Sequence, residues 1–177
     1  MQISISAIRE RRGATLPFFF SLPPEAVADL PGDVRAVSDV EVRGTVTNTG
    51  ESMLVRADVR GLFETPCSRC LQPARMEIET SFEERFRRED AAGADSGRGE
   101  DDDVSYYQGE RIDLGDITRE HIALQLPMKP ICREDCRGLC PRCGANLNET
   151  QCNCRLDDID PRLAVLQALV DERSEAE

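Results

Sequence analysis

Cysteine is the residue type in this chain best placed to do chemistry. Cys67 and Cys70 form a C-x-x-C pair, and Cys132, Cys136, Cys140, Cys143, Cys152 and Cys154 follow one another at separations of three, three, two, eight and one residues. Thiolates are soft ligands, and zinc takes about four of them in a tetrahedron, so eight cysteines supply two complete sets without the lone His121. The favoured allocation puts Cys140, Cys143, Cys152 and Cys154 on one zinc. Leu139-Cys140-Pro141-Arg142-Cys143-Gly144 has the form of a zinc knuckle, whose Gly permits a left-handed turn. Cys67, Cys70, Cys132 and Cys136 then share a second zinc, which closes a long loop. Spacing alone leaves open a competing allocation in which Cys132, Cys136, Cys140 and Cys143 hold one ion and the other four pair.

Other thiolate chemistries fit less well. A redox C-x-x-C opens a helix in a thioredoxin-like pattern, whereas Cys67 falls between strand patterns. An iron–sulfur cluster would use the same thiolates and colour the protein brown. Catalytic zinc needs an open position and a base nearby, and complete four-thiolate sets leave no such position. His121, on the apolar stripe of a predicted helix, reads as a core histidine bonded to a backbone carbonyl. No G-x-S-x-G, P-loop, dinucleotide fingerprint or H-E-x-x-H occurs, so the expectation is no enzyme and no small-molecule substrate.

Around the C-terminal cysteines, Lys129, Arg133, Arg137, Arg142 and Arg155 outnumber Glu134, Asp135 and Glu149. An ordinary mixed surface accounts for this, but Lys129, Arg133, Arg137 and Arg142 are also the candidate contacts to RNA phosphates or to an acidic protein face. Two further basic runs, Arg9/Arg11/Arg12 and Arg85/Arg87/Arg88, lack interleaved aromatics for base stacking.

The elements that must position the cysteines belong to a modest fold. With 177 residues one main core is the default, and with 5% aromatics and no Trp that core is built from Val, Leu, Ile and Met. Structural zinc, at on the order of 10 kcal/mol of apparent folding free energy, compensates for it. A formal net charge of -12 excludes nucleic-acid binding through bulk charge. The opening MQISISAIRERRG lacks the marks of a secretory leader, and no apolar run is long enough to span a bilayer, so the expectation is a cytoplasmic protein with reduced thiols.

Along the chain, Pro17, Pro23, Pro24 and Pro31 limit the N-terminal part to short elements in an extended border. Period-two alternation then runs through Val40, Val42 and Val46, through Met53, Val55, Ala57, Val59 and Phe63, and through Met76, Ile78, Thr80, Phe82 and Phe86. Three sequential strands with short connections predict an antiparallel β-meander. Residues 89–103 hold seven acidic side chains and one Arg, and are read as a disordered acidic loop. A short strand is expected at Val104 to Tyr107. Asp113 then reads as the N-cap of a helix with its stripe at Leu114, Ile117, His121 and Leu124, ended by Pro127. Asp160-Pro161 opens a second, C-terminal helix with Leu163, Leu166, Leu169 and Val170 inward.

Several of these segments occur together in a known family. Pro66-Cys67-Ser68-Arg69-Cys70-Leu71, the acidic insert before Ile112-Asp113-Leu114, Leu124-Gln125-Leu126-Pro127-Met128, the run Cys136 to Asn148, and Asp160-Pro161-Arg162-Leu163 resemble the YceD family of bacterial and plastid proteins, in order and spacing from about Val40 to Val170. The resemblance implies a non-catalytic role in 23S ribosomal RNA accumulation or processing and in large-subunit assembly, with ribosomal RNA or large-subunit ribosomal proteins as partners. The resemblance further implies that some relatives lack much of the C-terminal cysteine set, and with it that the metal stabilises this branch and is not the shared activity. The alternative is a zinc-ribbon interaction or regulatory module binding a basic, ribosomal protein. The expected fold is α+β: residues 1–126 form the sheet with its packed helix, N-terminal extended segment and acidic loop, and residues 127–177 form a Cys-rich zinc module with the closing helix.

Overall fold

The computed structural model describes residues 1–89 and 104–154. The acidic segment beyond Glu89 and the helix expected after Asp160 lie outside the described residues. Period-two patterns give β1 (Gln2–Ser4), β2 (Thr15–Leu22), β3 (Arg35–Ala36), β4 (Val40–Asn48), β5 (Met53–Pro66), β6 (Pro73–Arg88), β7 (Val104–Tyr107) and β8 (Arg111–Asp113), followed by α1 (Gly115–Gln125).

The main sheet has the order β2-β4-β5-β6-β7, with β3 also on β5, while β1 and β8 pair separately. Its centre is the expected antiparallel meander: Asn48 pairs with Met53, and Met53 with Phe86. In the β4–β5 turn, Gly50 takes φ 100°, and its N–H donates to Asn48 Oδ1 at 2.7 Å. The sheet as a whole is mixed, because β7 runs parallel to β6, with Arg85 opposite Val104. A parallel neighbour needs a connection of roughly a dozen residues or more, which residues 90–103 supply. The N-terminal part is more regular than an extended border: β2 pairs along its whole length with β4. Pro17 is tolerated because β2 is an edge strand.

One sheet face is apolar. Val40, Val42, Val46, Val55, Val59, Phe63, Ile78, Phe82 and Phe86 are buried on it and covered by Ile3, Ile5, Ile8, Leu114 and Ile122. Each such side chain gains about 1.5–3 kcal/mol over exposure, which is what holds β1, β8 and α1 against the sheet. The opposite face carries the exposed pairs Arg43–Asp58, Arg56–Glu83 and Arg60–Glu77. At about 0–1 kcal/mol each these set register more than stability.

Two expectations about α1 change. Asp113 ends β8 and the N-cap position of the helix falls on Leu114 instead, although Asp113 Oδ1 still accepts the Gly115 N–H at 2.8 Å. The buried stripe is Leu114, Thr118 and Ile122, whereas Ile117 is half-buried and Leu124 is exposed. Docking on β6 turns the helix by one position: His121, half-buried, stacks its ring on Phe82 at 4.8 Å and 12°.

Candidate metal centres

The long β5–β6 hairpin carries the first C-x-x-C at its tip. Its strands stay paired to Pro66 and Pro73, and the six residues between them turn on two bonds, Cys67 N–H to Gln72 O at 2.8 Å and Leu71 N–H to Cys67 O at 3.0 Å. After α1 the chain returns to this tip, where the Ser68 N–H donates to Pro130 O at 2.8 Å. That contact brings up Cys132 and Cys136. Cys70 and Cys132 then have their sulfurs 3.5 Å apart, Cys67 and Cys136 3.9 Å apart, and all four Sγ atoms lie within 4.8 Å of one another.

Cys140, Cys143, Cys152 and Cys154 form a second group with the same 4.8 Å limit. Its knuckle closes by Gly144 N–H to Cys140 O at 2.8 Å with Gly144 at φ 73°, the left-handed turn that Gly permits. The structure therefore gathers the eight cysteines as the favoured allocation has them and separates Cys132 and Cys136 from Cys140 and Cys143. The two groups are tied together: Leu139 N–H donates to Arg69 O at 3.0 Å, and Arg69 donates back to Cys136 O at 2.9 Å.

With this geometry in place the comparisons with known proteins can be read. The family model described as large ribosomal RNA subunit accumulation protein YceD matches residues 55–170, from β5 past the second cysteine group. The chain belongs to this family. A protein of Mycobacterium tuberculosis that carries the name uncharacterized is 34% identical over 143 residues, 81% of this chain and 67% of that one. The uncharacterized protein YlbN of Bacillus subtilis is 29% identical over 148 residues, 83% of each chain. Large ribosomal RNA subunit accumulation protein YCED homolog 1, chloroplastic, of Arabidopsis thaliana is 26% identical over 172 residues, covering 82% of this chain and 54% of that one. No solved structure matches. The YceD family is named for ribosomal RNA accumulation and not for a reaction.

The donor sets of this YceD family member suit a tetrahedral thiophilic ion. A zinc–sulfur bond of about 2.3 Å implies sulfurs roughly 3.8 Å apart, and the 3.5 Å of Cys70–Cys132 and 3.9 Å of Cys67–Cys136 bracket that value. Each group also divides its thiols electrostatically. Burial pushes the Cys67 thiol up, but the backbone N–H groups of Arg69 and Cys70 outweigh it and bring the thiol down to about 6. Cys132 goes the other way, to about 12, through burial and through the thiols of Cys70, Cys136 and Cys67. Cys140 falls to about 6 under the backbone N–H groups of Cys143 and Arg142, while the Cys143 thiol, then burial, drives Cys154 up to about 12. Four thiols this close cannot all ionise alone, and a divalent cation removes that conflict.

The other predicted residues fall outside these groups. His121 belongs to neither. Neither C-x-x-C opens a helix, unlike the thioredoxin pattern. Lys129, Arg133, Arg137 and Arg142 are all exposed, and Arg133 pairs with Asp135 at 3.3 Å. Among the described residues no helix is long and apolar enough to cross a membrane. Asn148 has a role that residue spacing did not reveal: its Nδ2 donates to Cys136 Sγ at 3.4 Å and its Oδ1 accepts the Arg137 N–H at 2.8 Å. The available signal was Asn146-x-Asn148 just after a knuckle, two side chains suited to holding turns.

Proposed function

We propose that this chain is a non-catalytic cytoplasmic factor that supports the accumulation and processing of 23S ribosomal RNA during large-subunit assembly. Two structural zinc ions would hold its C-terminal module, residues 127–177, to the hairpin of the sheet domain, residues 1–126. The observation that carries the functional reading is the family match over residues 55–170. The zinc reading rests on the two four-cysteine groups: Cys67, Cys70, Cys132 and Cys136 would hold one ion, Cys140, Cys143, Cys152 and Cys154 the other. A bound zinc neutralises thiolate charge and fixes the sulfurs, and the chain's own N–H groups on Cys67, Cys136 and Cys140 keep those ligands ionised. Depletion in the source cell is expected to lower mature 23S RNA and shift subunit profiles. Unchanged 23S levels and profiles would refute the reading.

Charge favours a second reading, in which the direct contact is a basic ribosomal protein. The formal -12 becomes more negative still once eight thiolates bind two divalent ions, and such a surface steers basic partners. Direct RNA contact would have to run through a restricted set such as Lys129, Arg133, Arg137 and Arg142, with steep salt dependence. Charge reversal at Arg133, Arg137 and Arg142 should weaken RNA binding if that set is used. Complexes that all disappear on nuclease treatment would rule out the protein partner.

A further inference from the structure

The basic turn Arg9/Arg11/Arg12 leads into β2, which lies at one end of the main sheet and pairs with β4. Where this ladder begins, the Gly13 N–H donates to Asn48 O at 2.7 Å and the Asn48 N–H to Ala14 O at 2.9 Å, with Gly13 at φ 81° in a one-residue bulge. Antiparallel alternation counted from Ala14 directs the backbone of Leu16, Phe18, Phe20 and Leu22 to β4. It turns the N–H and C=O groups of Thr15, Pro17, Phe19 and Ser21 to the open edge. Proline at 17 agrees, since the N–H it lacks would point outward. Among the described residues no strand meets this edge.

Edge strands are ordinarily guarded by charge, yet the eight residues Thr15–Leu22 carry none. Their apolar side chains are unfinished on both faces. Leu16, Phe18, Phe20 and Leu22 pack against the core but are half-buried, and Phe19, on the outer face, is 61% exposed. Charge gathers instead at the two ends of the strand, with opposite signs. Arg11 and Arg12 are exposed at its start, while Glu25 and Asp39 are exposed at its finish, where the Ser21 hydroxyl donates to Asp39 Oδ2 at 2.9 Å.

We infer that this edge pairs antiparallel with the same edge of a second copy, about a two-fold axis at Phe18, so that the two sheets become one. An antiparallel partner reverses the strand, which sets the Arg11/Arg12 end of each copy beside the Glu25/Asp39 end of the other. The uncharged strand between those ends is where two chains of formal charge -12 can meet without repulsion. With Phe18 opposite itself, Thr15 faces Ser21 and Pro17 faces Phe19, and each available edge N–H meets a carbonyl. A shift of one pairing step loses this: it puts Thr15 opposite Pro23, whose carbonyl already accepts the Ala26 N–H at 2.9 Å, or Ser21 opposite the Gly13 bulge. The exposed Phe19 ring then covers the partner's Pro17, and Leu16 meets the partner's Phe20. The pairing is independent of the ribosomal and zinc readings.

Light scattering and hydrogen exchange on the full-length, metal-loaded chain over a concentration series test this. The chain is expected to pass from one copy to two as concentration rises, and the Phe19 and Ser21 amides to become protected with it, while the Phe18 and Phe20 amides stay protected throughout. Phe19→Lys, at an exposed position that the fold of one copy does not use, should weaken pairing by about 100-fold, a decade for each of two lost ring contacts. Adding Pro17→Glu should restore much of the pairing, because in this register each new lysine faces a new glutamate of the other copy. A single copy at every concentration overturns the proposal, as does a dimer that Phe19→Lys leaves intact or a double variant no better than Phe19→Lys alone. Protection of Phe19 and Ser21 that does not depend on concentration also overturns it, in favour of a segment of the same chain on this edge.

Discussion

Asn148 belongs by sequence to the second cysteine group, and replacing it should loosen the first. Its Nδ2 donates to Cys136 Sγ at 3.4 Å, while its Oδ1 holds the Arg137 N–H at 2.8 Å. That donated bond is the foremost reason Cys136 is held below the ordinary thiol range in spite of its burial. Hydrogen bonds to metal ligands typically set affinity by about 10–100-fold. One long bond to one of four sulfurs belongs at the lower end, so Asn148→Ala should weaken the Cys67/Cys70/Cys132/Cys136 site about 10-fold. The pH dependence follows in sign. Without the bond the Cys136 pKa rises, protons compete better for the thiolate, and the pH of half-release moves upward. Asn148→Asp should be worse, because it keeps the acceptor for Arg137 but sets a carboxylate against the sulfurs. The assay is competition with a coloured chelator over a pH series, with alkylation and mass mapping to tell which cysteines open first. Release indistinguishable from wild type, or alkylation starting at Cys140 and Cys154, would refute the reasoning.

Three further outcomes are expected. Elemental analysis should find two zinc ions per chain with all eight thiols masked, and chelation should expose the eight and speed hydrogen exchange at residues 64–75 and 128–154 while β4 stays protected. Slow exchange at the hairpin tip after chelation would contradict the structural role. Gly44→Ala should cost at least about 2 kcal/mol in urea unfolding, since a Cβ there collides with the Arg56 carbonyl oxygen and approaches Ala57 Cα to 2.8 Å; an unchanged midpoint would show that β4 and β5 separate freely. Glu64 is 7% exposed and bonded by Arg35 at 2.6 Å, then by Arg75 at 3.0 Å, which hold its carboxyl below the ordinary range. A depressed folded pKa stabilises above the unfolded value and is lost as pH falls through the folded one, so Glu64→Gln should lower the urea midpoint at neutral pH, with the gap closing in acid. A gap independent of pH would point to packing instead of charge.

What residue order revealed depended on whether the deciding contact was local. Alternation from Val40 to Phe86 contains the meander, because a side-chain period of two sets face and register without reference to the rest of the chain. The direction of β7 was not legible, since it depends on the path of residues 90–103 and not on the residues Val104 to Tyr107 themselves. For α1 the period was right but the phase was off by one position, because Phe82 on β6 sets the docking. The cysteine groups were legible as ligand spacing plus the demand for fours. Asn148 was not, because its bond to Cys136 joins two turns whose juxtaposition only the fold creates.

The placement of the cysteines shows what the zinc reading would do for this fold. The main apolar cluster reaches Phe63 on β5 and Ile78 on β6, and beyond it the hairpin continues through the buried Thr65 and Ala74. At the tip the buried cluster is Cys67, Cys70, Ala74 and Cys136, with Leu139 against it, so apart from one alanine the buried residues there are all cysteines. Such a cluster is too small to order the stretch from Met128 to Cys154, which among the described residues contains no helix and no strand beyond the single Leu139–Asn146 bridge. Thiolates in so tight a group repel one another unless a cation is among them, so under the zinc reading proposed above the contacts that position Leu71, Arg69 and the exposed Lys129, Arg133, Arg137 and Arg142 would depend on metal occupancy. Whatever partner this surface meets, its binding should therefore track zinc content, while the β4–β6 core should not.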